Sequence, residues 1–150
     1  MKRASPFFLI SFVILILDQI TKHIIKTSLG PADVIPVLPF FSIVYVENTG
    51  SAFGMFKSLG NAFFVTLSFV AIAVVAFLVV KDEQNRLGLS LVLGGAAGNL
   101  VDRMRFGYVV DFLDFFAGSV HWPAFNVADS ALTVGIILLL IATVRSGRKG

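Results

Sequence analysis

The chain has 150 residues, of which 57% are hydrophobic and only 14% are charged, whereas about a quarter of the residues of a typical soluble domain are charged. Because a small domain exposes much of its surface, this composition excludes an ordinary water-soluble globule. The absence of cysteine excludes disulfides, thiolate nucleophiles and cysteine-ligated metals. The formal charge of +3 is small and scattered, so it does not indicate a nucleic-acid partner.

Four apolar runs are long enough to be membrane-spanning helices, which need about 20 residues. The predicted spans cover about residues 7–25, 62–80, 87–103 and 128–144. A secretory signal peptide is the alternative for the first run, but this run leads into Asp18 without a small-residue cleavage site, and three further runs follow. The sequence therefore predicts a single integral membrane domain over residues 1–150.

The distribution of charge predicts the orientation of these spans. If both termini and the loop at residues 81–86 share one side, that side carries seven basic and two acidic residues, and the other side carries five basic and seven acidic ones. Cytoplasmic segments carry an excess of Lys and Arg. Both termini are therefore predicted to be cytoplasmic.

Two segments lie on the outer side in this topology. Residues 28–61 combine β-branched and aromatic residues with Pro and Gly, which predicts short strands and turns. Residues 104–125 contain seven aromatic rings, a density typical of a membrane interface. These rings form either an aromatic belt or an apolar platform for a lipid or a peptide, and composition alone favours the belt.

The positions of the aspartates carry most of the functional signal. Asp18, Asp102, Asp111 and Asp129 all fall at or near the outer ends of spans, and we expect three different helices to supply them. An ionised carboxylate in the middle of a bilayer costs about 2.5–3.5 kcal/mol, so such residues persist when they are paired or functional. The four carboxylates are therefore predicted to converge in one layer.

Two of these aspartates have polar neighbours at helical spacing. Asp18 and Lys22 share one helix face, which predicts an ion pair in preference to a direct catalytic role. Asn99 and Asp102 follow the small residues 94–98, a surface that lets another helix approach closely. Asn99 and Asp102 are therefore interpreted first as a polar clamp between helices and second as catalytic groups.

Asp111 and Asp129 differ, because neither has a basic residue three or four positions away. Desolvation without a local cation raises the pKa of a carboxyl group, and two such groups that share a proton can activate a water molecule. In the alternative, Asp129 or Asn126 only caps the fourth helix and Asp111 faces water. Spacing alone leaves both interpretations open, and Asp114 is predicted to be a solvated charge.

Five short motifs occur in order along the chain, namely DQITK at residues 18–22, NTGSAFG at 48–54, GGAAGNLVDR at 94–103, VVDF at 109–112 and FNVAD at 125–129. This set of motifs resembles that of the bacterial lipoprotein signal peptidases, also called signal peptidase II. Each motif is weak alone, but together they cover essentially the whole chain. Ser51 stands where the family often has alanine.

The resemblance implies an intramembrane aspartic endopeptidase of the bacterial inner membrane that needs no metal or organic cofactor. Its partners would be membrane lipid and a prolipoprotein substrate, from which it would cleave the signal peptide N-terminal to a diacylglyceryl-modified cysteine. Its fold would be an all-α membrane protein with four transmembrane helices, a small extracytoplasmic β-sheet cradle at about residues 28–61 and a mobile helical flap. Aromatic residues near Phe53 and Trp122 would shield the site.

The same resemblance assigns roles residue by residue. The catalytic pair would be Asp111 and Asp129. The supporting and substrate-binding residues would be Asp18, Lys22, Asn48, Gly50, Asn99, Asp102, Arg103 and Asn126. The alternative function is a non-enzymatic membrane subunit that binds lipid or a partner helix, in which the acidic residues serve as packing clamps.

Overall fold

The computed structural model describes residues 4–50 and 60–147. Within these ranges the chain forms four long helices and a sheet of four antiparallel strands. In chain order the elements are α1 (Ser5–Ser28), β1 (Val34–Leu38), β2 (Phe41–Asn48), α2 (Gly60–Lys81), α3 (Arg86–Phe106), β3 (Val109–Ala117), β4 (Val120–His121) and α4 (Val127–Gly147). The predicted shielding residue Phe53 and the variable position Ser51 lie outside the described residues.

Three helices in the described part of the chain are long and apolar enough to cross a membrane, namely α1, α2 and α4 over Val127–Ser146. They contain the predicted spans at residues 7–25, 62–80 and 128–144. The fourth predicted span, residues 87–103, does form a helix, but α3 falls short of the same criterion because Gly, Asn, Asp and Arg interrupt its apolar pattern. The protein is thus mostly helical, with three candidate spans and a small antiparallel sheet.

Helix α3 occupies the centre of the bundle, where it packs against α1, α2 and α4. Its glycines let the neighbouring helices come close. A Cβ atom on Gly94 would lie 2.7 Å from the carbonyl oxygen of Ser11 in α1, and one on Gly95 would lie 2.4 Å from that of Ala128 in α4. Both distances are too short for a real contact, so the predicted small-residue surface is confirmed.

The junction of α2 and α3 is held by an apolar cluster and a buried arginine. Val79 of α2 packs against Leu89 and Leu93 of α3. The guanidinium of Arg86 donates hydrogen bonds of 3.0 Å to the carbonyl oxygens of Val79 and Val80. These carbonyls belong to the last turn of α2, where the helix itself supplies no donors. Arg86 therefore caps α2 while it begins α3.

The sheet has the order β1-β2-β3-β4. Strands β1 and β2 confirm the strand prediction for residues 28–61. Strand β2 pairs with β3 so that Val46 faces Asp111 and Asn48 faces Val109. This register brings the end of the first outer segment beside the strand that carries one of the predicted catalytic aspartates.

The second outer segment, residues 104–125, also forms strands. The predicted aromatic belt therefore applies to only part of it. Trp122 is 68% exposed, as a belt requires, but Phe112 is buried. The ring of Phe115 stacks on those of Phe41 and Phe125, with centroids 4.7 and 5.8 Å away. Residues 104–125 thus contribute β3, β4 and part of the packing of the sheet as well as exposed rings.

Candidate active site

Asp111 lies on strand β3 and is only 1% exposed. The prediction that helices supply all four carboxylates is therefore wrong for this residue, and so is the alternative in which Asp111 faces water. Its two carboxylate oxygens accept one hydrogen bond each, Oδ2 from Asn48 Nδ2 at 2.9 Å and Oδ1 from Asn126 Nδ2 at 2.7 Å. Two elements besides β3 thus orient this carboxylate.

Asp129 lies in the first turn of α4. Its Oδ1 accepts a hydrogen bond of 2.7 Å from Asn99 Nδ2 in α3, and its backbone N–H donates to Asn126 Oδ1 at 2.8 Å. Asn126 precedes the first residue of α4, so its side chain caps the helix as the alternative interpretation predicted. Capping is only one of its contacts, because the amide nitrogen of the same side chain reaches Asp111.

The pKa of Asp111 is raised from 3.8 to about 7. Burial is the largest cause, because it penalises the charged form, and the negative charge of Asp129 adds to it. The hydrogen bonds from Asn48 and Asn126 act in the opposite direction but do not cancel these effects. Burial and the charge of Asp129 therefore favour the protonated form of Asp111 up to near neutral pH.

A buried ion cluster lies behind the two carboxylates. Lys22 Nζ is 2.8 Å from Asp18 Oδ2 and 3.0 Å from Asp102 Oδ2, which confirms the predicted ion pair and adds a second carboxylate to it. The same ammonium donates to Asn99 Oδ1 at 2.9 Å. Gln19, which the sequence reasoning missed, donates to Asp102 Oδ1 at 2.8 Å. The predicted clamp between helices is therefore confirmed, and its centre is Lys22.

This cluster fixes the backbone next to both predicted catalytic residues. Asp102 Oδ2 accepts a hydrogen bond of 3.0 Å from the backbone N–H of Val110, the residue before Asp111. Asp18 Oδ1 accepts one of 2.9 Å from the backbone N–H of Ala128, the residue before Asp129. Asp102 thus fixes the backbone beside Asp111, and Asp18 fixes the backbone beside Asp129. Lys22 contacts both Asp18 and Asp102.

Asn48 and Gly50 form a short turn at the end of β2. The backbone N–H of Gly50 donates to Asn48 Oδ1 at 2.9 Å, which leaves the amide nitrogen of Asn48 directed at Asp111. Gly50 has a φ of +103°, and a Cβ atom there would lie 2.3 Å from the ring of Phe64. A glycine is therefore required at this turn, both for its backbone conformation and for space.

Arg103 of α3 packs against the start of α2. Its guanidinium lies 4.6 Å from the ring centroid of Phe64, and its carbonyl oxygen accepts a hydrogen bond of 3.0 Å from Asn61 Nδ2. Its Nη1 is buried and has no acceptor within the described part of the chain. A buried guanidinium nitrogen without an acceptor costs free energy, so it is a candidate donor for a bound group.

Asp114 is not the solvated charge that the sequence predicted. It is 8% exposed, and its Oδ2 lies 2.9 Å from His121 Nδ1. In the pairing of β2 with β3 it faces Ser42. Its side chain therefore connects β3 to His121 of β4. Among the described residues it has no hydrogen bond to the asparagines that orient Asp111 and Asp129.

An apolar groove of about 500 Å³ opens beside Asp129. Trp122, Phe125 and Val134 contribute apolar walls, and Ser130 adds a polar group. Within residues 4–50 and 60–147, no group of three or more His, Asp or Glu side chains is placed to hold a metal ion. The site thus combines a carboxylate pair, amide donors and an apolar surface.

Comparison with known proteins connects this geometry to a family. The profile of the family described as signal peptidase (SPase) II matches residues 10–145. The lipoprotein signal peptidase of Thermodesulfovibrio yellowstonii is 47% identical over 134 residues, which cover 89% of this chain and 91% of that protein. The lipoprotein signal peptidase of Cupriavidus taiwanensis is 42% identical over 153 residues, which cover 97% and 87%.

Solved structures agree with the sequence comparison. Two bacterial membrane enzymes determined by the in meso method superpose with TM-scores of 0.87 and 0.83 at 34% and 35% identity. The first match covers 95% of this chain and 90% of that one, and the second covers 93% and 92%. The chain therefore belongs to the signal peptidase II family of membrane proteases.

Proposed function

We propose that this protein is an intramembrane aspartic endopeptidase whose catalytic pair is Asp111 and Asp129. One observation carries the proposal: the two carboxylates are held by two asparagines that contact each other. Asn126 donates to Asp111, Asn99 donates to Asp129, and Asn126 Nδ2 lies 3.2 Å from Asn99 Oδ1. The charge of Asp129 raises the pKa of Asp111, which supports a pair that shares one proton.

The substrate that we assign is a prolipoprotein in the membrane. Membership in the signal peptidase II family supports cleavage of its signal peptide. We place the cut N-terminal to a cysteine that carries diacylglycerol. The apolar groove beside Asp129 supports this assignment, because apolar walls with a few polar groups suit a hydrophobic peptide or lipid.

The reaction follows from a pair that holds one proton. The ionised carboxylate accepts a proton from a water molecule, whose oxygen attacks the scissile carbonyl carbon. The protonated carboxyl donates a hydrogen bond to the carbonyl oxygen. Breakdown of the tetrahedral intermediate breaks the C–N bond, and the leaving amine takes a proton from the pair. These steps use no metal or organic cofactor.

Supporting roles are assigned to the neighbours of the pair. Asn48, Asn99 and Asn126 orient the carboxylates, and Gly50 orients Asn48. The buried Nη1 of Arg103 is the donor that we assign to a substrate carbonyl. The ion cluster of Asp18, Lys22 and Asp102 fixes the backbone of both catalytic residues.

We further propose that all four helices cross the bacterial inner membrane, with both termini in the cytoplasm and residues 1–150 as one domain. Helix α3 has 21 residues, which at about 1.5 Å per residue span about 30 Å of hydrocarbon. It lies among three apolar helices that cover its polar groups. The sheet, including the cradle at residues 28–61, then lies outside the cytoplasm.

Processing of a purified diacylglyceryl prolipoprotein tests the catalytic assignment. Asp111→Asn and Asp129→Asn should each lower the cleavage rate by at least about a hundredfold, because each removes a proton acceptor or donor from the pair. Asp114→Asn is the matched control, since Asp114 is a buried aspartate on the same strand as Asp111, and this variant should keep most of the activity. Retained cleavage by either first variant would remove that residue from the pair.

The same experiment separates the enzyme from the non-enzymatic alternative. If the acids were only packing clamps, Asp111→Asn and Asp129→Asn would lower the melting temperature and the wild-type protein would release no signal peptide. Lipid recognition has its own control, an unmodified precursor with the same sequence. Equal cleavage rates for the modified and unmodified precursors would contradict recognition of the diacylglyceryl group.

A further inference from the structure

A second cavity lies between the outer ends of α1 and α3, and neither Asp111 nor Asp129 is among its lining residues. Its volume is about 40 Å³, which is room for about three water molecules and thus for a group of the size of a phosphate. Helices α1 and α3 form most of its walls, and Val110 of β3 completes them. The charged and aromatic side chains that line it are Lys22, His23, Lys26, Asp102, Arg105 and Phe106.

The charges in these walls do not balance. Lys22 contacts both Asp18 and Asp102. Lys26 and Arg105 have no carboxylate within 4.0 Å among the described residues, and the charge of Glu47 acts on Lys26 from a greater distance. The side chains that line the cavity therefore include three cations, Lys22, Lys26 and Arg105, but one carboxylate, Asp102.

Lys26 and Arg105 converge on one aromatic ring. Lys26 Nζ lies 3.5 Å from the ring centroid of Phe106, and Arg105 Cζ lies 5.2 Å from the same centroid. Lys26 also donates a hydrogen bond of 2.8 Å to the hydroxyl of Tyr108, which fixes the ammonium in place. Cations near the last turn of a helix are stabilised by its dipole, but that effect does not bring two like charges from different helices together. An anion between them would relieve their repulsion.

We propose that this cavity binds the phosphate group of an anionic phospholipid. Both cations lie in the last turn of a helix, which in a spanning helix is the level of the lipid headgroups. Three apolar residues that are next in sequence to residues lining the cavity are exposed and available to acyl chains, with Ile20 at 51%, Ile24 at 53% and Met104 at 62%. This surface favours a phospholipid over free inorganic phosphate.

Binding of dioleoylphosphatidylglycerol to the full chain in detergent, measured by native mass spectrometry, tests the proposal. Arg105→Gln should weaken the most tightly bound lipid by about tenfold, the effect of one charge-assisted hydrogen bond. The Arg105 side chain is exposed, and within the described residues it contacts the ring of Phe106 but has no hydrogen-bond partner. This variant should therefore fold. Arg145→Gln, which removes the same charge from the exposed end of α4, should leave binding unchanged.

Two competing ligands distinguish a phospholipid from free inorganic phosphate as the molecule that the cavity binds. Dioleoylglycerol, which has the same chains without the phosphate, should not displace the lipid, and inorganic phosphate should displace it only weakly. Full displacement by inorganic phosphate would overturn the assignment to a phospholipid. Unchanged binding by Arg105→Gln, or an equal loss by Arg145→Gln, would overturn the site itself. Signal-peptide cleavage is not the readout, so the result is independent of the catalytic assignment.

Discussion

Asp111 is a buried acid whose ionisation affects the free energy of unfolding. Its pKa is raised from 3.8 to about 7 by burial and by Asp129. A carboxyl group that holds its proton more tightly in the folded chain than in the unfolded chain stabilises the fold at low pH. This contribution is lost as the pH rises from about 4 to about 7, because ionisation then costs more in the folded state. We expect the melting temperature in detergent to fall over this range.

The variant Asp111→Asn removes this titration and should therefore flatten the pH dependence of the melting temperature. The slope between pH 4 and 7 is the informative quantity, since the substitution also rearranges hydrogen bonds from Asn48 and Asn126. Asp33→Asn, at an exposed acid outside the site, is the control and should keep the wild-type slope. Identical slopes for wild type and Asp111→Asn would contradict the raised pKa of Asp111.

Asn126 combines a structural and a positioning contact, and two substitutions separate them. Ser at position 126 can still accept the backbone N–H of Asp129, whereas Ala cannot. Neither can donate an amide hydrogen bond to Asp111. Both variants should therefore lose most of the cleavage activity, but only Asn126→Ala should lose about 1 kcal/mol of stability from the missing cap.

Cleavage rates and melting temperatures of the two Asn126 variants, measured in the same detergent, test this separation. Wild-type activity of Asn126→Ser would show that the cap is the whole role of the side chain. A stability loss shared by both variants would instead show that the hydrogen bond to Asp111 contributes to folding.

Local spacing predicts some contacts of the site and cannot predict others. Asp18 and Lys22 are four residues apart on one helix, so their ion pair could be predicted. The hydrogen bond from Asn48 to Asp111 joins residues 63 positions apart and depends on the pairing of β2 with β3. The burial of Asp114 depends on the same sheet, so its spacing of three residues from Asp111 could not predict it.

Among the elements, α3 shows why apolar content alone does not identify a bundle helix. Residues 87–103 were predicted as a span and do form a helix, but this helix is less apolar than the other three. The glycines that lower its hydropathy are the residues that let α1 and α4 approach. A central helix is covered by its neighbours, so it needs small and polar groups more than it needs a lipid-facing surface.

Gly95→Ala tests this close approach. The new methyl group would lie 2.4 Å from the carbonyl oxygen of Ala128, so α3 and α4 must move apart. Overpacking of this kind costs about 1–3 kcal/mol, and the shift also displaces Asp129, the next residue of α4. We expect a lower melting temperature together with a reduced cleavage rate.

Gly30→Ala is the control for that substitution. A Cβ atom at position 30 would lie 3.4 Å from Asp33 Oδ2, an ordinary contact, and Gly30 is not among the glycines with positive φ. Stability should therefore change little. If Gly95→Ala were as stable and active as Gly30→Ala, the contact between α3 and α4 would not be the close one described here.

The strands also depend on partners that are distant in the sequence. The first outer segment is predicted to contain strands because it combines β-branched and aromatic residues with Pro and Gly, and β1 and β2 lie within it. The second segment was interpreted by its aromatic density, which is shared by membrane interfaces and by packed sheets. Pairing with β2 decides between them, since Phe41 of β2 faces Phe115 of β3. The sequence of residues 104–125 alone does not indicate that β2 is the partner of β3.

At the scale of the whole molecule, the polar groups are concentrated at one end of the bundle. The carboxylate pair, the Lys22 cluster and the sheet lie where α1 and α3 end and α4 begins. The opposite end contains the loop between α2 and α3, next to which Arg86 caps α2. The basic residues are in excess at that opposite end, together with the termini, so the orientation predicted from them can be tested by labelling.

The absence of cysteine provides a direct test of that orientation, because single cysteines can be introduced without a background signal. Ser119 lies in the exposed turn between β3 and β4, and Gln84 lies in the exposed loop between α2 and α3. If the termini are cytoplasmic, a membrane-impermeant maleimide should label Ser119→Cys in intact cells and should label Gln84→Cys only after lysis. The reverse pattern would place the sheet and the carboxylate pair in the cytoplasm. Such a site could not meet a signal peptide on the outer face of the membrane, so the proposed cleavage reaction would fail with it.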